Sequence, residues 1–297
     1  MDSYPEPARV LVDAMTRAAA AEPLRAVAFQ GAPGANSHLA AIEQFPDALP
    51  LPCFSFEDAL EAVTSGRAGH AIIPIENSLH GRVADIHFLL PQSGLSIVAE
   101  HFLRVRHCLI GRAGDTIVEA MSHPQALGQC RHWLRAQGIT PIVYADTAAA
   151  AAAVAVTGSG GVAAIAPSLA AELYGLDVLA EGIEDADHNT TRFVILAAQA
   201  QEPAGDGPWM TSFTFEVKNV PASLFKALGG FATNGVNMTK LESYYRAASF
   251  AATEFYADIE GAPSDPAVVR AMDELAFHTK WVKLLGTYRQ ERARTVI

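Results

Sequence analysis

Four short stretches of this sequence concentrate side chains able to hold a small anion or hand it a proton. Asn36-Ser37-His38 offers an amide, a hydroxyl and an imidazole at what reads as a helix start, where free backbone N–H groups also favour carboxylates. Pro74-Ile75-Glu76-Asn77-Ser78 closes a short apolar run and so stands at the C-terminal end of a buried strand, the place where open α/β sheets put ligands. Ser122-His123-Pro124-Gln125 leads into a second helix start, and Thr190-Thr191-Arg192-Phe193 opens another apolar run. Each stretch also has an ordinary structural reading. Asn77 and Ser78 suit a capped turn, Ser122 suits an N-cap, and residues 190–193 suit the first residues of a strand.

Other chemistries find little support. Gly31-x-x-Gly34 lacks the spacing of either common nucleotide loop and reads as a turn. The ten histidines form no H-x-x-x-H or H-E-x-x-H pair, and there is no G-x-S-x-G elbow, so neither a metal nor an activated serine is expected. Cys53, Cys108 and Cys130 are odd in number and far apart, which points to buried thiols in a reducing, cytoplasmic compartment. A net charge of -11 over 297 residues argues against nucleic-acid or anionic-membrane partners, so an acidic ligand must be caught by local donors.

The elements that must position these groups alternate. Apolar runs at 26–30, 71–74, 162–166 and 192–197 read as strands, and helical spacing recurs at 37–45, 55–65, 83–90, 124–137 and 168–174. Ser55-x-x-Asp58 suits a capping box, and Asp146 caps a further helix. Such alternation means an α/β fold with mainly parallel sheet. Residues 95–110 are extended but too long for one ordinary strand, so a hinge is expected within them. The uncharged run 147–171 is broken by Thr-Gly-Ser-Gly-Gly and Pro167, and reads as helix, turn and strand rather than a membrane span. The N-terminal helix presents Val10, Leu11, Ala14, Met15 and Ala18 as an apolar face for the body or a partner subunit. A polar Pro/Gly stretch at 199–208 separates this region from a βαββαβ pattern: strands at 211–217, 236–245, 250–259 and 281–287, helices at 221–233 and 266–277.

Eight segments in register resemble the prephenate dehydratase family. They are V-A-F-Q-G-A-P-G-A-N-S-H at 27–38, I-P-I-E-N-S at 73–78 with Gly81 and Val83, H-C-L-I-G at 107–111 and S-H-P-Q-A at 122–126, followed by D-T-A at 146–148, A-A-I-A at 163–166, Y-G-L at 174–176 and N-T-T-R-F at 189–193. The resemblance implies a two-lobed, periplasmic-binding-protein-like catalytic region over 26–203. Lobe 1 would hold about 26–101 and 190–203, lobe 2 about 102–189, and the chain would cross near Phe102 and near Asn189. Residues 1–25 would form a helical extension, 204–210 a linker, and 291–297 a tail. Residues 211–290 are similar to an ACT domain, a ferredoxin-like regulatory module.

The implied activity is cofactor-free conversion of prephenate to phenylpyruvate in phenylalanine synthesis, with loss of carbon dioxide and hydroxide as the ring becomes aromatic. The family makes Thr191 the residue essential for turnover and Asn77 and Ser78 holders of substrate oxygens, with Gln125 helping Asn77 to fix the ring. Ser37, His38, Glu76, Ser122, Arg192 and Phe193 are further substrate-binding candidates, with Arg192 either a carboxylate clamp or an ion pair between the lobes. Chemistry alone would choose Glu76, His123 or His188 as the acid, because an alcohol is a weak one. Asn36 departs from the aromatic or hydroxylic residue usual there. In the ACT-like part, phenylalanine contacts fall on Ala222, Ser223, Leu224, Asn234, Gly235, Val236, Asn237, Leu241, Glu242 and Ser243, although Tyr244-Tyr245 stands where the family has Arg-Pro. A homodimer or homotetramer follows from such a module. The alternatives are the same reaction on arogenate and a non-catalytic amino-acid sensor.

Overall fold

A computed structural model describes residues 4–157, 160–244 and 254–294 of the chain. The chain divides into two compact units, one built from residues up to Arg82 with Phe102–Phe193, the other from Val83–His101 with the residues from Val194 onward.

The first unit contains two α/β layers. After helix α1 (Glu6–Ala21) and a short 3-10 turn come β1 (Ala26–Gln30), α2 (Asn36–Gln44), β2 (Leu49–Cys53), α3 (Phe56–Thr64), β3 (His70–Asn77) and the two-residue β4 (Gly81–Arg82). Helix α4 (Ala84–Ser93) and the start of β5 (Ser96–Arg104) belong to the second unit. The chain then builds β6 (Cys108–Gly111), β7 (Glu119–Ser122), α5 (Pro124–Gln129), α6 (Arg131–Gln137), β8 (Thr140–Val143), α7 (Thr147–Thr157), β9 (Val162–Ala166), α8 (Ser168–Tyr174) and β10 (Asp177–Glu181), and returns in β11 (Thr190–Ala197). One sheet runs β2-β1-β3-β11-β5 with β4 on β3, the other β10-β6-β9-β7-β8. Strand β1 is parallel to β2 and β3. The second sheet is mixed rather than mainly parallel, because β6 runs antiparallel to both β9 and β10.

Local chemistry explains the joints. Ser55 Oγ accepts from Asp58 N at 3.1 Å while Asp58 Oδ2 accepts from Ser55 N at 3.2 Å, the expected capping box of α3. Asp146 Oδ1 accepts from Ala149 N at 2.7 Å and caps α7. Residues 124–137 are two helices rather than one. The ladder breaks at Cys130, whose N–H turns back to Leu127 O, and the freed Gln129 carbonyl accepts Asp185 N at 2.6 Å. The cap of α5 is His123 rather than Ser122, His123 Nδ1 accepting from Gln125 N. On α1 the buried stripe is Ala8, Val12 and Ala19, whereas Val10 is exposed, which corrects the expected face. Ala8 packs among Ala148–Ala152 of α7, a surface of small side chains that admits close helix approach. No described helix is long and apolar enough to cross a membrane.

The second unit adds β12 (Trp209–Val217), α9 (Ser223–Thr233), β13 (Met238–Tyr244), β14 (Glu254–Glu260), α10 (Pro266–His278) and β15 (Thr279–Arg289). The strand order is β13-β14-β12-β15, and β12 is antiparallel to both neighbours. This is the ferredoxin-like order expected from the sequence. Tyr245 and residues 246–253, including the start of the strand expected at 250–259, lie outside the described residues, as do residues 295–297 of the tail. Phe213, Phe215 and Ile259 of the sheet pack with Phe231 of α9 and Leu275 of α10. Elsewhere in the sheet a buried polar group gathers Ser212, Asp258, Tyr256 and Tyr288, with Ser212 Oγ donating to Asp258 Oδ1 at 2.5 Å.

Candidate active site

Two sequence-distant segments meet at the C-terminal end of β3 and the start of β11, inside the first unit. Asn77 Nδ2 donates to Thr191 Oγ1 at 2.9 Å and to Asn189 Oδ1 at 2.7 Å. Its carbonyl oxygen accepts from Leu79 N at 2.9 Å and His80 N at 3.1 Å, which fixes the amide's orientation because backbone N–H groups can only donate. Thr191 Oγ1 is therefore an acceptor from Asn77. Its own hydrogen is left for a further acceptor. Ser78 brackets the same junction, with Oγ donating to His188 O and accepting from Thr190 N, both at 3.0 Å. The two crossings between the sheets are tied where Val105 N donates to Asn189 O at 2.9 Å.

Beside this junction lies a cleft of about 490 Å³, lined by His80, Gln125, Gln129, His132, Asp185 and Asn189 among others. Gln125 and Asn189, whose Oδ1 accepts from Asn77 Nδ2, thus line one space. Arg192 is only 2% exposed and its Nη1 meets Glu76 Oε1 at 2.8 Å, so the ion pair lies within one sheet rather than between lobes. That pairing gives each charge a partner of opposite sign.

Several sequence candidates sit elsewhere. Ser122 is fully buried and donates to Ile165 O at 2.6 Å, so its hydroxyl serves the second sheet. Phe193 is core. Ser37 and His38 are buried and do not line the cleft. His38 Nδ1 accepts from Gly34 N at 3.0 Å, its ring stacks on Phe29 at 4.9 Å, and burial pushes its pKa down to about 4. The Gly31–Gly34 loop packs against Ala170 and Tyr174. Tyr174 OH donates to Pro33 O at 2.6 Å, and a Cβ on Gly34 would come within 2.8 Å of Ala170 Cα. Burial raises the pKa of Asp146, against the opposing pull of hydrogen bonds from the backbone of Ala149, Ala148 and Ala32. Desolvation lifts the Cys53 and Cys108 thiols to about 12 and about 11, which leaves them inert. Among the described residues no group of three His, Cys, Asp or Glu could hold a metal ion.

The family model described as prephenate dehydratase matches residues 27–201, which contain every group of this junction and cleft. The chain belongs to the prephenate dehydratase family. A bifunctional N-acyl-homoserine lactone acylase/prephenate dehydratase of Komagataeibacter europaeus is 48% identical over 268 residues, covering 89% of this chain and 95% of that one. Arogenate dehydratase/prephenate dehydratase 1, a chloroplastic protein of Arabidopsis thaliana, is 39% identical over 285 residues, covering 90% of this chain and 73% of that one. Among solved structures, the prephenate dehydratase of Arthrobacter aurescens in complex with L-Phe superposes with a TM-score of 0.82 at 29% identity, covering 89% of this chain and 90% of that one. The shared fold is a two-lobed, periplasmic-binding-protein-like region followed by a C-terminal domain.

Sequence reasoning missed His80, Gln129, His107 and Asn189. His80 had one available signal, as the imidazole closest in sequence to Asn77; His107 and Asn189 open two of the eight family-like segments, and Gln129 gave none, since its partners are distant in the chain.

Proposed function

We propose that the protein is a prephenate dehydratase acting in phenylalanine synthesis, with Thr191 as the donor to the departing hydroxyl. The observation that carries this is the direction of the Asn77–Thr191 bond, which leaves the threonine hydrogen for the substrate. In the reaction the bond from the ring to its carboxylate breaks to release carbon dioxide. The electron pair enters the ring, and hydroxide leaves from the opposite carbon. A neutral alcohol stabilises that oxygen as charge develops, while Asn77 and Gln125 hold the ring. Aromatisation supplies much of the driving force. The reaction needs no cofactor, and the proposed roles assign none.

Glu76 and Arg192 act on this reading as the fixed pair that holds β3 against β11, and Ser78 holds the returning crossing. Among the described residues neither an imidazole nor a carboxylate is bonded to Thr191 Oγ1, so Thr191 is set up as a donor and not as an activated acyl acceptor. The acylase in the name of the K. europaeus relative is therefore left out of the reading.

Residues 211–290 are proposed to be an ACT domain through which phenylalanine lowers activity and tightens a homodimer or homotetramer. The ferredoxin-like order and the L-Phe complex of the A. aurescens relative support it. Ala222 stands in the left-handed region at φ 62° before α9, and Asn234 and Asn237 flank Gly235. Asn234 Oδ1 accepts from Arg270 Nε at 2.7 Å, and Asn237 Nδ2 donates to Glu260 Oε2 at 3.0 Å. Both side chains thus shape the loop, whose backbone is also closed by Asn234 N, Gly235 N and Val236 N donating to Gly230 O, Ala232 O and Phe231 O. Three buried free cysteines support a reducing compartment such as the cytoplasm.

One assay tests the core: incubation with prephenate and, separately, with arogenate, following phenylpyruvate and phenylalanine. Phenylpyruvate from prephenate is expected, with Thr191→Ala losing turnover and Thr191→Ser keeping part of it. Near-full turnover by Thr191→Ala beside a dead Glu76→Gln would overturn the assignment. Kinetics and sedimentation unchanged at saturating phenylalanine would overturn the regulatory part.

A further inference from the structure

A line of hydrogen bonds crosses the cleft from the second sheet's side to the loop that fixes Asn77. Gln129 closes α5, and its Oε1 lies 2.6 Å from His107 Nε2 while its Nε2 lies 3.2 Å from His80 Nδ1. His107 is 2% exposed, and its Nδ1 is buried with no hydrogen-bond partner. A buried lone pair without a donor costs less than a buried N–H without an acceptor, so the His107 hydrogen resides on Nε2 and is donated to Gln129 Oε1. Burial lowers the His107 pKa and keeps the ring neutral. Gln129 Nε2 faces His80 Nδ1, and that same ring nitrogen lies 3.2 Å from Asn77 Oδ1, so the imidazole joins Gln129 to Asn77 directly. The His80 backbone N–H in turn donates to Asn77 Oδ1.

The far end of this line is anchored. His107 N donates to Glu184 Oε2 at 2.9 Å, and Gln129 O accepts from Asp185 N at 2.6 Å. At the near end the loop is short, since β4 pairs straight back onto Glu76 and Asn77. A shift of His80 therefore moves Asn77 Oδ1, and with it the Nδ2 group that orients Thr191.

We propose that Gln129 and His80 are positioning residues for the Asn77–Thr191 pair, a bridge that sets the direction of the threonine hydroxyl from the opposite wall of the cleft. This rests on the cleft's being the site of prephenate turnover. His80 is solvent-exposed and spans the bridge with one ring nitrogen, so it can be altered with little effect on packing.

The test is steady-state kinetics on prephenate for His80→Leu, Gln129→Met, their double variant and His80→Gln, with far-UV circular dichroism to confirm folding. Misplacing a reacting group by about 1 Å costs roughly 100-fold, so a partial loss of position predicts kcat down about 10- to 100-fold for each single variant, with KM within about twofold. Because the two residues act as one unit, the double variant is expected to be no worse than the poorer single. His80→Gln, whose amide oxygen takes the Gln129 N–H, should recover most of the loss. Should Gln129→Met fail to fold, His80→Leu and His80→Gln carry the comparison. No turnover by the unaltered protein overturns the functional reading and this role with it. Turnover that the variants leave within about threefold, losses that multiply in the double variant, or losses confined to KM overturn the positioning role alone.

Discussion

Asn77→Asp changes one NH2 group to an oxygen and leaves the side-chain shape intact, which isolates hydrogen-bond direction from packing. Asn77 Nδ2 makes two donor bonds, at 2.7 Å to Asn189 Oδ1 and 2.9 Å to Thr191 Oγ1. A carboxylate oxygen there cannot donate, so the Thr191 hydroxyl turns and gives its hydrogen to the new carboxylate instead of the substrate. Asn189 Oδ1 is left facing a like oxygen, at a residue only 1% exposed. Losing a positioned proton donor costs roughly 10² to 10⁴ in rate, about 3 to 5 kcal/mol in barrier. The unsatisfied pair adds about 1 to 3 kcal/mol of lost stability. The measurement is phenylpyruvate formation by Asn77→Asp, Thr191→Ala and the double variant under saturating prephenate, with chemical denaturation in parallel. Because both substitutions remove the same hydrogen, kcat should fall at least 100-fold in each and no further in the double. An Asn77→Asp protein within about threefold of the unaltered enzyme would refute the reasoning, as would losses that multiply.

Truncating Glu76 to Ala removes the carboxylate that meets the Arg192 guanidinium, which is 2% exposed. Removing one partner of such a pair typically costs about 3 to 5 kcal/mol, so the urea midpoint should drop well below that of Glu76→Gln, and equal midpoints would show that the pair holds nothing. Folding stability should also fall as pH drops from 6.5 toward about 4. In that window the unfolded chain protonates His38 while the folded chain keeps it neutral, because burial lowers its pKa from 6.5 to about 4. The gap corresponds to roughly 3 kcal/mol, lost on the acid side and fully present above about pH 7. His107 contributes in the same direction. His38→Asn, which keeps an acceptor for Gly34 N, should shrink the loss measured by denaturation at about pH 7 and about pH 4.5. An undiminished loss would move the effect to other groups.

The alternation of short apolar runs and helical spacing made the α/β class and the ferredoxin-like order legible in the sequence, because both depend on local periodicity. Strand β2 was invisible. Its Leu-Pro-Leu-Pro-Cys reads against a strand, yet Pro50 and Pro52 are tolerated because β2 is the outermost strand of its sheet, where missing N–H groups face no ladder. The break at Cys130 was harder to see, since Gly128 is a weak signal against a helix and the Gln129 carbonyl is taken by Asp185 N, half a domain away. At the site, Asn77 and Thr191 were chosen through resemblance, and the residues by themselves would have favoured Glu76 as the acid. What local reading could not reach was that Arg192 already occupies Glu76. Ser37, His38 and Ser122 are hard to read for one shared reason: polar side chains near helix starts are as useful to the backbone as to a ligand, and here His38 accepts from Gly34 N and Ser122 donates to Ile165 O.

The charge balance returns at the cleft. A chain of net charge -11 must receive a substrate bearing two carboxylates, and Glu184 and Asp185 lie at the cleft wall. Both acids are already engaged by donors of their own side of the cleft, Glu184 Oε2 by His107 N at 2.9 Å and Asp185 by His132 N at 3.2 Å and His132 Nδ1 at 3.1 Å. Charge delocalised into such bonds repels an approaching anion less than a bare carboxylate would. The lining also carries the Arg131 cation, and the groups proposed to meet the ring are neutral donors, Thr191, Gln125 and the amide and imidazole of the bridge. Neutral donors suit this chemistry, because a cation clamped on the ring carboxylate would stabilise the charge that has to leave as carbon dioxide, deepening the ground state more than the transition state.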